Sequence, residues 1–201
     1  MGLRIDLHTH TRRHSPCSRI DPAAVIPAAV KAGLDGLVIT EHFRQWTQDE
    51  LAELLQAAAA PGFLLVSGLE YTSTCGDILI YGLSDEDAMR LERDLPPAEV
   101  LAYVRRHGGA CIAAHPTRAN MGFDERILTL PFAAIEVCSM RLQPHERVLA
   151  MKISEATRVP PVASSDAHDV EEIGRYATTF TVPVRNMADL RDALLRGKFH
   201  I

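Results

Sequence analysis

The sequence predicts an α/β fold in which a largely parallel sheet curves into a small or incomplete barrel. Three observations lead to this prediction. Short apolar runs alternate with segments of about ten residues that carry helix start and stop signals. About seven such runs fit into the 201 residues of the chain. Several runs end in a histidine or a carboxylate, and the carboxyl ends of strands are where α/β folds collect their reacting groups.

The composition restricts the class of protein and its partners. With 47% hydrophobic and 23% charged residues, the chain is long enough for one well-buried core, so we expect a single domain over residues 1–201. The 21 basic and 26 acidic residues give a net charge of -5, which disfavours nucleic acid as a partner. The first residues predict a strand rather than a signal peptide, and no apolar run approaches the ~20 residues of a membrane span. We therefore expect a cytoplasmic protein with no membrane partner.

The helices are predicted from their caps and stops, taken in order along the chain. Asp21 followed by a proline is a helix start, and Gly33 is the matching stop. Thr47 and Glu50 form a capping-box pair for the second helix. Asn186 caps the last helix. The predicted helices are residues 23–32, 48–59, 98–107, 145–157 and 187–196.

The strands are predicted from continuous apolar runs, the pattern of parallel strands that are covered on both faces. One pair of strands departs from the strict alternation of strands and helices, because the strand that begins at Asp77 follows the previous strand after only a short turn. These two strands are expected to form an antiparallel pair. The predicted strands are residues 3–10, 37–40, 63–69, 77–82, 110–114, 134–138 and 177–182, and residues 161–165 lead into Asp166.

Ligand-type side chains end or follow these segments. The first strand ends in His8 and His10, which project the same way because side chains alternate along an extended segment. The whole set mixes nitrogen and oxygen donors without sulfur, which suits zinc, manganese or iron. It is too large for one tetrahedral ion, so a cluster of two or three divalent ions is the economical arrangement. The residues are His8, His10, His42, Glu70, His115, Asp166 and His168.

Five separated motifs resemble those of the PHP (polymerase and histidinol phosphatase) family. They occur in family order and span residues 6–168, so the similarity covers nearly the whole chain. The resemblance implies a distorted (β/α)7 barrel, two or three metal ions and, usually, phosphoesterase activity. The motifs are Asp6-Leu7-His8-Thr9-His10, Ile39-Thr40-Glu41-His42, Gly68-Leu69-Glu70, Ala114-His115-Pro116 and Ser165-Asp166-Ala167-His168.

The resemblance also implies three sets of metal ligands, from which the sequence departs in places. Asp77 stands where many members carry a histidine, and we expect it to bind the second ion. His14 is the nearest loop candidate for the third ion, and the alternative is an exposed loop histidine. Glu41 replaces an aspartate of many members, which matters little if that carboxylate is not a ligand. The implied sets are His8, His10, Glu70 and Asp166 for a first ion, Glu70 with His115 for a second, and His42 with His168 for a third.

Three further residues lie close to these motifs in the sequence. Asp6 has the same strand parity as His8, so it is a candidate to accept the second N–H of a ligand. Glu136 is an acid inside an apolar strand and needs a partner, and we expect it to support the site or the fold. Cys17 either reaches the site from its loop or is an exposed thiol. It is one of four widely spaced cysteines without a CxxC pair, a pattern that argues against a disulfide framework or zinc ribbon.

The predicted chemistry is attack of metal-bound hydroxide on a phosphate ester. Bound cations lower the pKa of water from ~16 toward ~7 and neutralise charge on the phosphoryl oxygens. The candidates for binding those oxygens are Arg12, Arg118 and Arg141, because a guanidinium contacts two oxygens at once; each is otherwise a solvated surface arginine. The proton for the leaving alcohol comes either from His168 or from a metal-bound water.

The sequence therefore predicts a metal-dependent phosphoesterase that acts on a small phosphorylated metabolite or nucleotide. One alternative is an exonuclease or phosphodiesterase acting on nucleic-acid ends, which the acidic balance and the 5% aromatic content disfavour. Another is a metal-binding module without turnover. The full ligand set disfavours such a module, whereas the unusual third ligand set leaves this alternative open.

Overall fold

Nine strands in one sheet and six α-helices make up the fold in the computed structural model, which describes residues 2–201. The strands are β1 Leu3–Asp6, β2 Gly36–His42, β3 Leu64–Thr72, β4 Asp77–Tyr81, β5 Ala110–Ala114, β6 Ala134–Cys138, β7 Pro161–Ala163, β8 Thr178–Phe180 and β9 Phe199–His200. The helices are α1 Pro22–Lys31, α2 Gln48–Ala57, α3 Asp85–Arg90, α4 Pro97–Arg106, α5 Pro144–Thr157 and α6 Met187–Leu195. Two short 3-10 helices cover Glu125–Thr129 and Val170–Glu172.

The centre of the sheet is largely parallel, and one strand within it is reversed. The strand order is β7-β6-β5-β4-β3-β2-β1-β8-β9. Strands β1 to β3 pair in parallel, as do β5 to β7. Strand β4 runs antiparallel to both of its neighbours, which confirms the predicted antiparallel pair. Because β4 is reversed, its first residue, Asp77, lies beside Ala114 at the carboxyl end of β5.

The sheet curves until its two sides nearly meet, so the molecule is an almost closed barrel. Strand β8 pairs with β1 and brings Thr178 close to β7. The Thr178 hydroxyl accepts a hydrogen bond from the Ala163 N–H at 3.1 Å and donates one to the Ala163 carbonyl at 2.8 Å. A parallel bridge joins Thr9 to Ala167 just beyond the strand ends. These contacts hold the two sides of the barrel together.

Alternating side chains of the strands build one core inside the barrel and two outside it. In β5, for example, Ile112 and Ala114 belong to the inner core, whereas Cys111 and Ala113 belong to an outer one. Helix α6 packs on the inner core through Leu190, next to the first residues of several strands. Helices α4 and α5 cover one outer face, and α1 and α2 cover the other. The carboxyl ends of the strands are thereby left to polar side chains.

The predicted helix caps are present. Asp21 accepts a hydrogen bond from a first-turn N–H of α1. Thr47 and Glu50 form the reciprocal capping box of α2. Asn186 caps α6 through the N–H of Asp189. Within residues 2–201, no helix combines the length and the apolar character that crossing a membrane requires.

Some elements differ from the sequence-based expectation. Glu70 lies within β3 instead of after it, because pairing with β4 extends β3 to Thr72. Strand β1 ends at Asp6, since its register with β2 ends there. Helix α3 and strand β9 were not predicted. Both are short, and α3 depends on a local cap in which Ser84 accepts a hydrogen bond from a backbone N–H.

Candidate metal centre

The ligand-type residues converge at the carboxyl-terminal mouth of the barrel. Eight of them supply donor atoms to four groups, and within each group these atoms lie within 4.8 Å of one another. Residues are shared between groups, so the groups form one continuous cluster. The groups are His8 with His10 and Glu70, His8 with His115 and Asp166, Glu70 with Asp77 and His115, and His10 with His42 and His168.

The first group lies at the centre of the cluster. The Nε2 atoms of His8 and His10 are 3.0 Å apart. Glu70 Oε2 is 3.2 Å from His10 Nε2, and Glu70 Oε1 is 3.5 Å from His8 Nε2. All three side chains are buried. Two ring nitrogens and a carboxylate that face one another in this way are a donor set for a divalent cation.

Asp166 also lies close to the ring nitrogens of His8 and His10. Its Oδ1 is 3.5 Å from His10 Nε2 and 3.6 Å from His8 Nε2. Its Oδ2 is 3.7 Å from His115 Nε2. One buried carboxylate therefore lies beside both histidines of the first group and beside His115.

The second group joins Glu70, Asp77 and His115. Glu70 Oε1 is 3.0 Å from His115 Nε2, and Asp77 Oδ2 is 4.0 Å from the same nitrogen. Asp77 Oδ1 and His115 Nδ1 are buried without a hydrogen-bond partner within the described residues. Buried polar atoms in native proteins almost always have a partner, so the unpaired carboxylate oxygen fits a cation. The reversed direction of β4 brings Asp77 to this group, at a position where many members of the resembled family carry a histidine.

The third group is the most exposed. The ring centroid of His10 is 4.6 Å from that of His42 and 4.6 Å from that of His168. The side chains of His42 and His168 are 36% and 20% exposed. Burial lowers the pKa of both imidazoles, so they stay neutral, as metal ligands must be. Cys17, left open by the sequence, lies here with its Sγ 3.4 Å from His42 Nε2.

Charges of opposite sign balance within the buried cluster. Burial lowers the pKa of His8 and His115, but nearby carboxylates outweigh burial. The pKa of His8 therefore lies well above its ordinary value, and that of His115 rises to about 9. Burial conversely raises the pKa of Glu70 and Asp166, but the surrounding histidines hold both pKa values well below the ordinary range. The carboxylates of Glu70 and Asp166 thus stay ionised and attract positive charge. Protons on the histidines supply that charge here, and bound metal cations would supply it in the same way.

Two of the predicted ligands have unusual backbone conformations. His115 has φ 27° and Asp166 has φ 52°, both in the left-handed region that favours glycine. Such conformations cost about 1–3 kcal/mol each and persist only where the surroundings hold them, frequently at functional sites. The His115 N–H donates to Glu136 Oε2 at 2.7 Å, which is one such restraint.

Glu136 is fully buried and contacts two of the predicted ligands, His8 and His115, as well as Ser164. Its Oε1 is 3.1 Å from His8 Nδ1, and the same oxygen accepts a hydrogen bond from the Ser164 hydroxyl. Its Oε2 accepts the His115 N–H. This carboxylate therefore orients the His8 ring with Nε2 toward the cluster, the arrangement in which a carboxylate supports a metal-binding histidine.

Two other carboxylates beside the ligands hold backbone groups instead. Asp6 accepts the N–H of Ser165 at 2.8 Å and the N–H of Gly174 at 3.0 Å. The Asp6 oxygens thus join the two sides of the barrel. The structure does not show Asp6 accepting a ring N–H from a ligand. Burial raises the pKa of Asp6 to about 6, although these hydrogen bonds act against the rise. Glu41 accepts the backbone N–H of Thr11 at 3.1 Å and the indole N–H of Trp46 at 3.0 Å, and no donor group found in residues 2–201 includes it.

Two predicted site residues lie outside the cluster. The His14 ring packs against Trp46 with centroids 5.6 Å apart, and its Nε2 is 3.5 Å from Glu50 Oε1. No metal-competent group within the described part of the chain, residues 2–201, includes His14. The His14 ring therefore lies beside Trp46 and Glu50, near the start of α2. Arg12 is 61% exposed and pairs with Asp21.

The other two candidate arginines lie close to ligands along the chain. The half-buried Arg118 donates its backbone N–H to the His115 carbonyl at 3.0 Å. Arg141 Nη2 is 2.5 Å from Glu172 Oε2, and the same oxygen accepts the His168 N–H at 2.8 Å. One carboxylate therefore links Arg141 to a residue of the third group.

The fold and the donor atoms together define an α/β barrel with groups of side chains that could hold metal ions. A family model described as PHP-associated matches residues 144–199 of the chain. This match is consistent with the resemblance of the five motifs to the PHP family. In addition, the uncharacterized protein MJ1587 of Methanocaldococcus jannaschii is 26% identical over 145 residues, which cover 67% of this chain and 81% of that protein.

Solved structures with low sequence identity share the fold. A protein of Bifidobacterium adolescentis assigned as a metal-dependent phosphoesterase has a TM-score of 0.67 at 16% identity, over 96% of each chain. The lesion-specific endonuclease PfuEndoQ from Pyrococcus furiosus has a TM-score of 0.66 at 15% identity, over 100% of this chain and 58% of the endonuclease. The barrel expected from the motifs is thus confirmed.

Proposed function

We propose that the protein is a metal-dependent phosphoesterase that hydrolyses a phosphate ester of a small metabolite or nucleotide. The observation that carries this proposal is the overlap of the four donor groups at the open end of the barrel. Zinc, manganese and iron suit these donors. Two or three such cations, held side by side, would lower the pKa of a bound water and neutralise charge on the phosphoryl oxygens.

The chain's own residues bind and orient the reacting groups in this proposal. Arg118 and Arg141 hold non-bridging phosphoryl oxygens, since a guanidinium contacts two at once. Arg12 is the weaker candidate, because it is exposed and paired with Asp21. His168 serves as a ligand of the third group, and its alternative role is to protonate the leaving oxygen. A pH–rate profile of His168→Asn distinguishes the two roles, since loss of a proton donor removes one limb of the profile.

A small substrate is favoured over nucleic acid. The net charge of -5 leaves little positive field for a nucleic-acid backbone. A nuclease is the second candidate, because the fold is similar to that of PfuEndoQ. That endonuclease is longer, however, and this chain matches 58% of it.

The proposal is tested with purified protein loaded with Mn²⁺ or Zn²⁺. The substrates are phosphomonoesters, nucleotides, single-stranded oligonucleotides and a duplex with an abasic site. We expect release of inorganic phosphate from at least one phosphomonoester and its loss in Glu70→Gln, which removes a donor shared by two groups. Cleavage of the oligonucleotides alone would establish the second candidate. No hydrolysis of any substrate by protein that retains its ions would leave a metal-binding module.

A further inference from the structure

The loop that follows β6 runs beside the segment that carries Asp166. The Met140 N–H donates to the Ser165 carbonyl at 3.0 Å, and these two residues directly precede Arg141 and Asp166 in the chain. From α5, Arg147 donates to two carbonyls of the same loop at 2.9 Å and 3.2 Å. The backbone of Arg141 is therefore fixed next to a predicted metal ligand.

Glu172 fixes the other end of the Arg141 side chain. Its Oε2 is 2.5 Å from Arg141 Nη2, and the same oxygen accepts the His168 N–H at 2.8 Å and the Asp169 N–H at 3.3 Å. The side chains of Arg141 and Glu172 are 27% and 17% exposed, so solvent screens their attraction only in part. One carboxylate oxygen thus holds the guanidinium against the backbone of His168, a donor of the third group.

The held guanidinium keeps one nitrogen open to solvent. Arg141 Nη2 is occupied by Glu172, and Arg141 Nε is buried without a hydrogen-bond partner within residues 2–201. Nη1 makes no hydrogen bond to this part of the chain either, yet it is not among the buried unpaired atoms, so solvent reaches it. A guanidinium has five donors and no acceptor, and Nη1 therefore offers two N–H groups to an outside acceptor.

We propose that Glu172 is a positioning residue, which holds Arg141 so that Nη1 binds a non-bridging oxygen of the phosphoryl group beside the third group. The inference rests on the proposed phosphoesterase function and assigns the Arg141 guanidinium its support. An arginine that is held in advance loses less side-chain freedom when it binds an anion. Arg12 differs, because it is 61% exposed and pairs with Asp21 at the surface.

The test measures binding of inorganic phosphate, the product of the proposed reaction, by calorimetry of the full chain loaded with Mn²⁺. We expect the phosphate Kd to rise about 10–100-fold in Arg141→Met, the loss expected for a charge-assisted hydrogen bond. Arg141→Lys, which keeps the charge but not the planar fork, replaces that variant if it does not fold. In Glu172→Gln the Kd should rise about threefold or more, because an amide still accepts backbone N–H groups but lacks the charge that holds Arg141. The double variant should bind phosphate no more weakly than Arg141→Met, since Glu172 acts through Arg141.

The matched control is Glu50→Gln. Glu50 and Glu172 are each the third residue of a capping box, and each pairs with an arginine. Their side chains are 15% and 17% exposed, but Glu50 lies at the start of α2 and its partner is Arg13. Glu50→Gln should bind phosphate as the natural protein does. Melting temperatures and manganese content establish that each variant is folded and loaded.

Several results would overturn the inference. These are natural protein that carries manganese but does not bind phosphate, an unchanged phosphate Kd in Glu172→Gln, and a double variant weaker than Arg141→Met. A lower Kd in Glu172→Gln would also overturn it, because the carboxylate would then compete with phosphate for the guanidinium. Loss of a manganese ion in Glu172→Gln would show that Glu172 acts through His168 instead.

The proposed function can fail separately from this inference. Phosphate binding that depends on Arg141 and Glu172, without hydrolysis of any phosphate ester, would refute the phosphoesterase and leave the role of Glu172 in place. Hydrolysis of an ester with the natural kcat and KM in Glu172→Gln would refute the role of Glu172 alone.

Discussion

Glu136 provides the sharpest test of how the centre is held together. Its two oxygens serve three donors: Oε1 faces the His8 ring and the Ser164 hydroxyl, and Oε2 accepts the His115 N–H. In Glu136→Gln one oxygen becomes an NH₂ group, so at least one buried donor loses its acceptor. That loss costs about 1–3 kcal/mol of folding stability.

The same substitution weakens metal binding, because the His8 ring loses a charged partner that fixes its orientation. Removing such a partner reduces metal affinity or activity by about 10–100-fold, which corresponds to about 1.4–2.8 kcal/mol. Competition with a chromophoric chelator measures the affinity for Zn²⁺, and urea denaturation of the metal-free protein measures stability. We expect both to fall in Glu136→Gln.

The control is Glu146→Gln. Glu146 is also a buried carboxylate that accepts backbone N–H groups, from Gln143 and Ala119 at 2.7 Å each, but it belongs to none of the donor groups found in residues 2–201. The Glu146→Gln variant should lose folding stability and keep the zinc affinity of the natural protein. If Glu136→Gln binds zinc within about threefold of the natural protein while losing stability, its carboxylate supports only the fold, and the argument about His8 is wrong.

Three other predictions follow from the structure. His115→Ala removes a ligand of two donor groups and should abolish turnover together with one bound ion; a near-normal rate by phosphate release would contradict the assignment. Thr178→Val leaves the Ala163 N–H and carbonyl unpaired and should destabilise the barrel by about 1–3 kcal/mol in urea denaturation, whereas Thr178→Ser should not; equal stabilities would show that this closure is dispensable. Burial raises the pKa of Glu50, but the Thr47 backbone hydrogen bond and Arg13 outweigh burial and lower it. Glu50 therefore stabilises the fold at pH values above its unfolded-state pKa, and this stabilisation is lost as the pH falls through the lower folded-state pKa. Melting temperatures in acid should depend less on pH in Glu50→Gln, and an unchanged dependence would refute this.

Much of the fold follows from local patterns in the sequence. Caps such as Asp21, Thr47 and Asn186 act within a few residues, so a helix start can be recognised without the rest of the chain. Continuous apolar runs likewise mark buried strands, and parallel strands place their carboxyl ends at one edge. For these reasons the sequence alone was enough to predict most of the elements and the barrel.

The path of the loops was decided by contacts between distant parts of the chain. His14 and Cys17 lie three residues apart in the same loop, and their spacing does not say which one faces the third group. Ser15 Oγ accepts the His42 N–H and Ser18 Oγ donates to the His10 carbonyl, and these hydrogen bonds orient the loop, while the His14 ring lies beside Trp46 and Glu50. Side-chain direction in a loop depends on such tertiary contacts.

The roles of the carboxylates were decided in the same way. Asp6 and Glu136 were both reasonable partners for a ligand, but barrel closure uses Asp6 for backbone groups and leaves Glu136 facing His8. Asp77 begins its strand, and only the reversed direction of β4 brings it to His115. Local sequence thus determined which donor types exist and which segments carry them. Tertiary structure decided which donors meet, because strand direction, register and barrel closure are interactions between residues far apart in the chain.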